Sequence, residues 1–130
     1  MENLIQKIFG FFSAVLLFLF GDFDFLLKSI IVLMFLDYVT GICKSFYQKR
    51  INSSIGGQGI IKKVLYLCSI TVSVILDKLL SMNGSLRTLV ITSFIFNEIL
   101  SILENSSEMG IKIPKYLYES LKKSEQKEPK

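Results

Sequence analysis

Four blocks of apolar residues dominate this chain, and a lipid bilayer is the surrounding that accommodates all four at once. They occupy residues 8–20, 25–43, 64–80 and 86–103. A soluble domain would instead spread its apolar residues at helix or strand period. The overall apolar share, 51%, stands only slightly above a soluble average, so segregation rather than quantity marks a membrane chain. The last block shows the energetics. Ten Leu, Ile, Val and Phe residues lie between Leu89 and Leu103, and on insertion scales they favour the membrane by roughly 3–6 kcal/mol. The central acid Glu98 offsets about 2.5–3.5 kcal/mol of that, so the helix still inserts but is driven to hide this face.

The charges give the topology. Between the second and third blocks lie Lys44, Lys49, Arg50, Lys62 and Lys63, with no acid among them. Clustered Lys and Arg hold a loop on the cytoplasmic side. The second segment then runs outside to inside, the third returns, and the fourth delivers the tail to the cytoplasm. The first block alone is shorter than the approximately 17 residues needed to span; starting at Leu4 reaches that length, with Lys7 at the interface. It therefore either spans or lies in the interface. A cleaved secretory signal is not expected, because the Asp22/Asp24 turn follows without a small-residue cleavage pattern. Ser81-Met82-Asn83-Gly84-Ser85 predicts a tight turn joining the third and fourth spans. Arg87, beside that outer turn, departs mildly from the charge rule.

The expected architecture is an all-α integral membrane bundle of three to four transmembrane helices, over about residues 4–20, 25–43, 62–80 and 86–104. The membrane domain covers residues 1–105. Residues 106–130 form a short, charged cytoplasmic tail, helical after Pro114 and fading into disorder near residues 124–130.

Polar residues within the spans fall at three- and four-residue steps, which places them on single helix faces. Asp37, Thr40, Gly41 and Lys44 share one face. Lys62, Tyr66, Ser69, Ser73 and Asp77 form a second stripe, and Ser93, Asn97, Ser101 and Glu104 a third, with Glu98 beside it. Such residues are costly against lipid and turn toward protein or water. They supply a motive for helix packing and for homo-oligomerisation. Ser and Thr serve as interhelical glue, while the three acids are candidates for pairing or for water contact.

Several functions find no support. The chain has no histidine, which removes the most versatile general base and the commonest metal ligand. No Cys, Asp or Glu cluster has metal-site spacing, and no cofactor or enzymatic activity is expected. The Ser53-Ser54-Ile55-Gly56-Gly57-Gln58-Gly59 stretch lacks the Gly-Lys-Ser/Thr ending of a phosphate loop. Its Ser54, Gly56 and Gly59 are expected to form a turn between membrane helices. The net charge of +4 lies beside the spans, where anionic headgroups explain it better than nucleic acid does. Cys43 and Cys68 are expected as small buried apolar side chains.

The segment Phe35-Leu36-Asp37-Tyr38-Val39-Thr40-Gly41-Ile42-Cys43-Lys44 resembles the Asp-x-x-x-Gly-x-x-Lys signature of the toxin-secretion/phage-lysis holin family. The basic linker with Ser54, Gly56, Gly59 and Lys62-Lys63 follows in the same order, then Asp77, then the Asn97-Glu98 span with Gly110 and Pro114. The resemblance covers about residues 35–121. It implies a small protein of the bacterial cytoplasmic membrane that oligomerises into lesions. Through them a peptidoglycan hydrolase, or in clostridial settings a large toxin, leaves the cell. The competing reading is a small proton-coupled transporter with Glu98 as the coupling acid. A third is a membrane anchor recruiting a partner through its tail.

Overall fold

A computed structural model describes residues 1–126. It is all-helical: α1 (Glu2–Phe20), α2 (Phe25–Tyr47), α3 (Ser53–Leu80), α4 (Ser85–Glu108) and α5 (Lys115–Gln126). The first four are each long and apolar enough to cross a membrane. Thus the first apolar block has span length, having gained its N-terminal turns. The helix of the tail begins directly after Pro114 and continues through Gln126; the disorder expected for the last residues falls, beyond Gln126, outside the described residues.

Two turns set one end of the bundle. Asp24 caps α2 by accepting from the Leu27 amide at 3.0 Å. Between α3 and α4 the chain reverses through three left-handed residues, Ser81, Asn83 and Gly84, the tight hairpin expected from the Asn-Gly pair. At the other end, Lys49 adopts a positive φ and Asn52 caps α3 through the Ser54 amide at 3.0 Å. That cap changes the expected layout. The turn predicted around Ser54, Gly56 and Gly59 is helix, and α3 starts about two and a half turns earlier than the sequence suggested. Asn52 terminates the loop before the glycines are reached, so their backbone freedom goes unused. Lys62 and Lys63 are consequently helix residues, not members of the basic loop, whose cations reduce to Lys49 and Arg50 with Lys44 just inside α2.

The packing is centred on α4. It lies most extensively against α2, then against α3, and α5 folds back onto it; α1 packs on α3. The contacts follow a 3–4 spacing on each helix. On α2 the inward positions are Leu27, Ile30, Met34 and Asp37, on α3 Lys63, Tyr66, Ile70, Ser73 and Asp77, and on α4 Ile91, Phe94, Glu98, Ser101 and Asn105. Alternating steps of three and four keep a single seam facing its neighbours over many turns. The apolar core, with Ile30, Ile70 and Ile91 fully sealed, fills the half of the seam toward the turns. Tyr66 and Phe94 close that half with rings stacked 4.0 Å apart. Beyond them the seam turns polar.

The α4 stripe therefore keeps Ser101 but shifts by one residue on either side of it, from Asn97 to Glu98 and from Glu104 to Asn105. The buried line runs through Glu98, Ser101 and Asn105, while Asn97 and Ser93 sit partly exposed at its flank. On α3 the line passes through Lys63, not the exposed Lys62, and Ser69 is exposed with its hydroxyl bonded back to the Leu65 carbonyl at 2.9 Å. The two cysteines are exposed rather than buried; a small apolar thiol is as compatible with lipid as with protein. Nothing on α1 is fully buried; Phe9, Phe11, Phe12 and Phe18 look outward, Phe9 74% exposed, and Phe20 alone of its phenylalanines packs against the core.

Candidate functional site

The polar half of the seam holds an ionic network inside span-length helices. Lys63 reaches across from α3 and places its ammonium 2.6 Å from Asp37 Oδ2 on α2 and 3.0 Å from Glu98 Oε2 on α4. One cation thus ties three helices together. Glu98 is completely sealed, and Asp37 and Lys63 retain 13% and 14% side-chain exposure. By helix rise, Asp37 and Glu98 lie roughly 18–20 Å along α2 and α4 from the turn end, well inside a hydrocarbon core of about 30 Å.

The rest of the network keeps Asp37 satisfied. The Ser101 side chain stands beside it. Asn105 donates to the Thr40 hydroxyl at 3.1 Å and lies beside Gly41, where an added Cβ would make only an ordinary contact with its amide nitrogen at 3.8 Å. Toward the basic end, Lys44 pairs with Glu108 at 3.4 Å, and Gln48 donates to the same carboxylate. Glu98 is less complete. Its Oε1 has no hydrogen-bond partner among the described residues, although Lys62 Nζ stands 3.8 Å away. A sealed carboxylate oxygen without a donor carries a desolvation cost that a rearrangement of the seam would relieve.

The turn end carries a second cluster, formed by the α1–α2 link and the adjoining ends of α3 and α4. The Arg87 guanidinium is bidentate to Asp24, at 2.7 and 3.1 Å, and also donates to the Phe20 and Asp22 carbonyls at 2.7 and 2.9 Å. It fastens the α1–α2 link to the start of α4. The Arg87 hydrogen bonds hold the Asp24 carboxyl below the usual carboxylate range, against a smaller opposing effect of burial. Beside it, Asp77 at the end of α3 accepts from the Leu86 and Arg87 amides at 3.1 and 2.7 Å, capping α4 from a neighbouring helix.

Of the residues singled out in the sequence, the structure brings together Asp37, Lys63, Glu98 and Ser101 in one network, with Gly41 and Lys44 along the same α2 face. Ser73 is buried in the apolar half of the seam, roughly 15 Å along α3 from Lys63, with its hydroxyl bonded to the Ile70 carbonyl. Asp77 belongs to the other end. Ser69, Ser93 and Asn97 stay out of the network, as do the exposed Lys49 and Arg50. Sequence reasoning missed Asn105 as a member, and missed Arg87 and Asp24 as partners. For the latter the signal was present: an unexpected cation in one turn and two acids in the turn predicted to lie beside it.

Four span-length helices, three of them packed on one seam with charges buried among them, define a multi-pass cell-membrane protein. Comparison with known proteins narrows this. The sequence model of the bacteriophage holin family matches residues 14–126, and the chain belongs to that family. It is 44% identical to an uncharacterised 14.9 kDa protein from the nagH 3′ region of Clostridium perfringens, over 94% of this chain and 96% of the relative. An uncharacterised protein of Listeria innocua is 36% identical over 82% of this chain and 76% of its own length. A probable holin of Bacillus phage phi105 is 32% identical over 80% and 76%. No solved structure matches the chain.

Proposed function

We propose that the chain acts as a holin, accumulating in the bacterial cytoplasmic membrane and oligomerising into lesions that release a peptidoglycan hydrolase or a large toxin. Family membership supports the class, and the Asp37–Lys63–Glu98 network is the observation that carries the mechanism. In the closed bundle, Lys63 pairs with both acids between helices. In the lesion, the same seam opens and the faces bearing Asp37, Gly41, Lys44, Ser73, Asp77, Glu98 and Ser101 line water, with Ser69, Ser93 and Asn97 at their flanks. Charged side chains that are tolerated in lipid only as a cluster become stable singly once hydrated. Residues 1–105 form the lesion unit and residues 106–130 its tail, with Lys49, Arg50 and the tail in the cytoplasm by the positive-inside bias.

The test is induced expression in bacteria alongside a co-expressed peptidoglycan hydrolase, following membrane potential and hydrolase release. Collapse of the potential together with release is expected. An intact potential and a retained hydrolase at high membrane abundance would reject the proposal.

One observation favours a second reading. The sealed Glu98 with an unsatisfied oxygen is also what a proton-coupled transporter requires of its coupling acid. Proton flux in reconstituted vesicles that is saturable with a solute and lost in Glu98→Gln would select it.

A further inference from the structure

Three glycines near the start of α3 serve neither a turn nor close helix packing. Gly56, Gly57 and Gly59 lie within the first two turns of a regular helix, where each costs about 0.8–1 kcal/mol relative to alanine. Glycine in a membrane helix ordinarily lets a neighbouring backbone approach. Here a Cβ at Gly57 or Gly59 would meet nothing within 4 Å, and at Gly56 it would meet only the Tyr38 hydroxyl at 3.9 Å. The missing side chains leave one wall of a cleft of about 690 Å³ between α2 and α3. That is the size of a small-molecule site.

The lining has two characters. Ile42, Phe46, Ile55 and Ile60 make an apolar side, and all four are exposed. Lys44, Lys62 and Lys63 supply cations. Their charge is offset by Glu108, Glu98 and Asp37. Lys49 and Arg50, exposed in the loop that leads into α3, add two further positive charges near the mouth, as does the positive end of the α3 dipole. Gly59 stands roughly 32 Å along α3 from the turn end, at the depth where a bilayer's hydrocarbon gives way to headgroups.

We propose that this cleft binds an anionic phospholipid from the leaflet at the basic end of the bundle. The phosphodiester sits toward Lys44 and Lys62, and an acyl chain lies over the glycine wall against the isoleucines. Apolar lining, positive surplus and headgroup depth are the three requirements of such a lipid, and basic pockets between membrane helices are a recurrent form of its recognition. The cleft shares Lys44 and Lys63 with the polar half of the seam, but lipid binding to it is measurable without lysis.

The test is native mass spectrometry of the full chain, purified and delipidated in neutral detergent. It is titrated with dioleoyl phosphatidylglycerol, with dioleoyl phosphatidylcholine, and with inorganic phosphate as competitor. Phosphatidylglycerol should be retained about fivefold more than phosphatidylcholine, the effect of roughly one lysine at a membrane surface. Gly59→Leu should fill the cleft and reduce retention to the phosphatidylcholine level while helicity is kept, since leucine is the better helix former. Lys44→Gln should lower the preference without filling the cleft, and it decides the matter if Gly59→Leu loses helicity. Equal retention of the two lipids, full retention by Gly59→Leu with intact helicity, or an unchanged preference in Lys44→Gln would overturn the proposal. So would displacement of the lipid by inorganic phosphate alone, which would mark a phosphate site.

Discussion

Lys63→Met is the substitution that most directly interrogates the seam. Lys63 stands 2.6 Å from Asp37 and 3.0 Å from Glu98. At an effective dielectric near 20, each ion pair is worth roughly 5–6 kcal/mol of attraction. Withdrawing three charged groups from water costs several kcal/mol apiece, so the intact network contributes little net stability. Methionine occupies a similar volume and keeps the helix, but it leaves two carboxylates facing each other without their shared cation. Breaking a buried pair in this way costs about 3–5 kcal/mol in soluble proteins. Within membranes the disrupted helices find other polar partners, and individual interhelical hydrogen bonds average about 0.6 kcal/mol with a maximum near 1.7. With both ion pairs broken and one sealed acid stranded, we expect about 2–4 kcal/mol of destabilisation, between those two ranges. The assay is reversible unfolding in mixed micelles, raising the fraction of denaturing detergent and following helix content. The triple variant K63M/D37N/E98Q should recover most of the loss, because it removes the charges along with the cation. A Lys63→Met protein within about 0.5 kcal/mol of the parent, the range of an ordinary surface change, would refute the reasoning. So would a triple variant no more stable than the single one.

Three further outcomes are expected from the turn end. Asp77→Ala removes the acceptor for two α4 amides and should cost about 1–2 kcal/mol in the same unfolding assay, the upper range for a lost helix cap. Gly21→Ala should destabilise by about 1–3 kcal/mol, because Gly21 holds φ 75° and ψ −156°, a region that only glycine adopts readily, and an added Cβ would lie 2.9 Å from Arg87 Nε. The Asp24–Arg87 contact should be pH-dependent. Its folded carboxyl lies below the ordinary value of 3.8, so its contribution is present above that pH and is lost as pH falls through the folded value. Thermal unfolding between pH 2 and 6, about the range that brackets this titration, should show an acid-side decline that is shallower in Asp24→Asn. Parallel curves would remove the contact from the account.

The helices were legible because their signals are collective. Runs such as Phe94-Ile95-Phe96 and the Asn83-Gly84 break fix a span and its end whatever surrounds them, and the boundaries missed were those set by single caps. Asn52 moved the start of α3 ahead of Gly56 and Gly59 through one side-chain bond, a signal that three nearby glycines outweighed in the sequence. The acids at positions 37 and 98 were recognisable as costly in lipid. Their partner was not, because Lys63 sits beside Lys62 in a stretch whose charge pattern reads as a loop. The offset of the α4 stripe from Glu98 to Asn97 has the same origin. Adjacent polar residues on a helix differ by about 100° in direction, and only the neighbouring helices decide which of the two is enclosed. Arg87 needed the opposite turn to be placed before its role emerged.

The two halves of the seam respond differently to moisture. The stretch from Leu27 to Tyr66 coheres through close contact of hydrocarbon, which a few invading water molecules do not weaken. The stretch around Lys63 coheres through charge, and each arriving water raises the local dielectric and loosens its grip. On the proposed mechanism, a wetted bundle would splay from the lysine end with the Arg87 clasp as its pivot, its direction set by the order of residues along three helices.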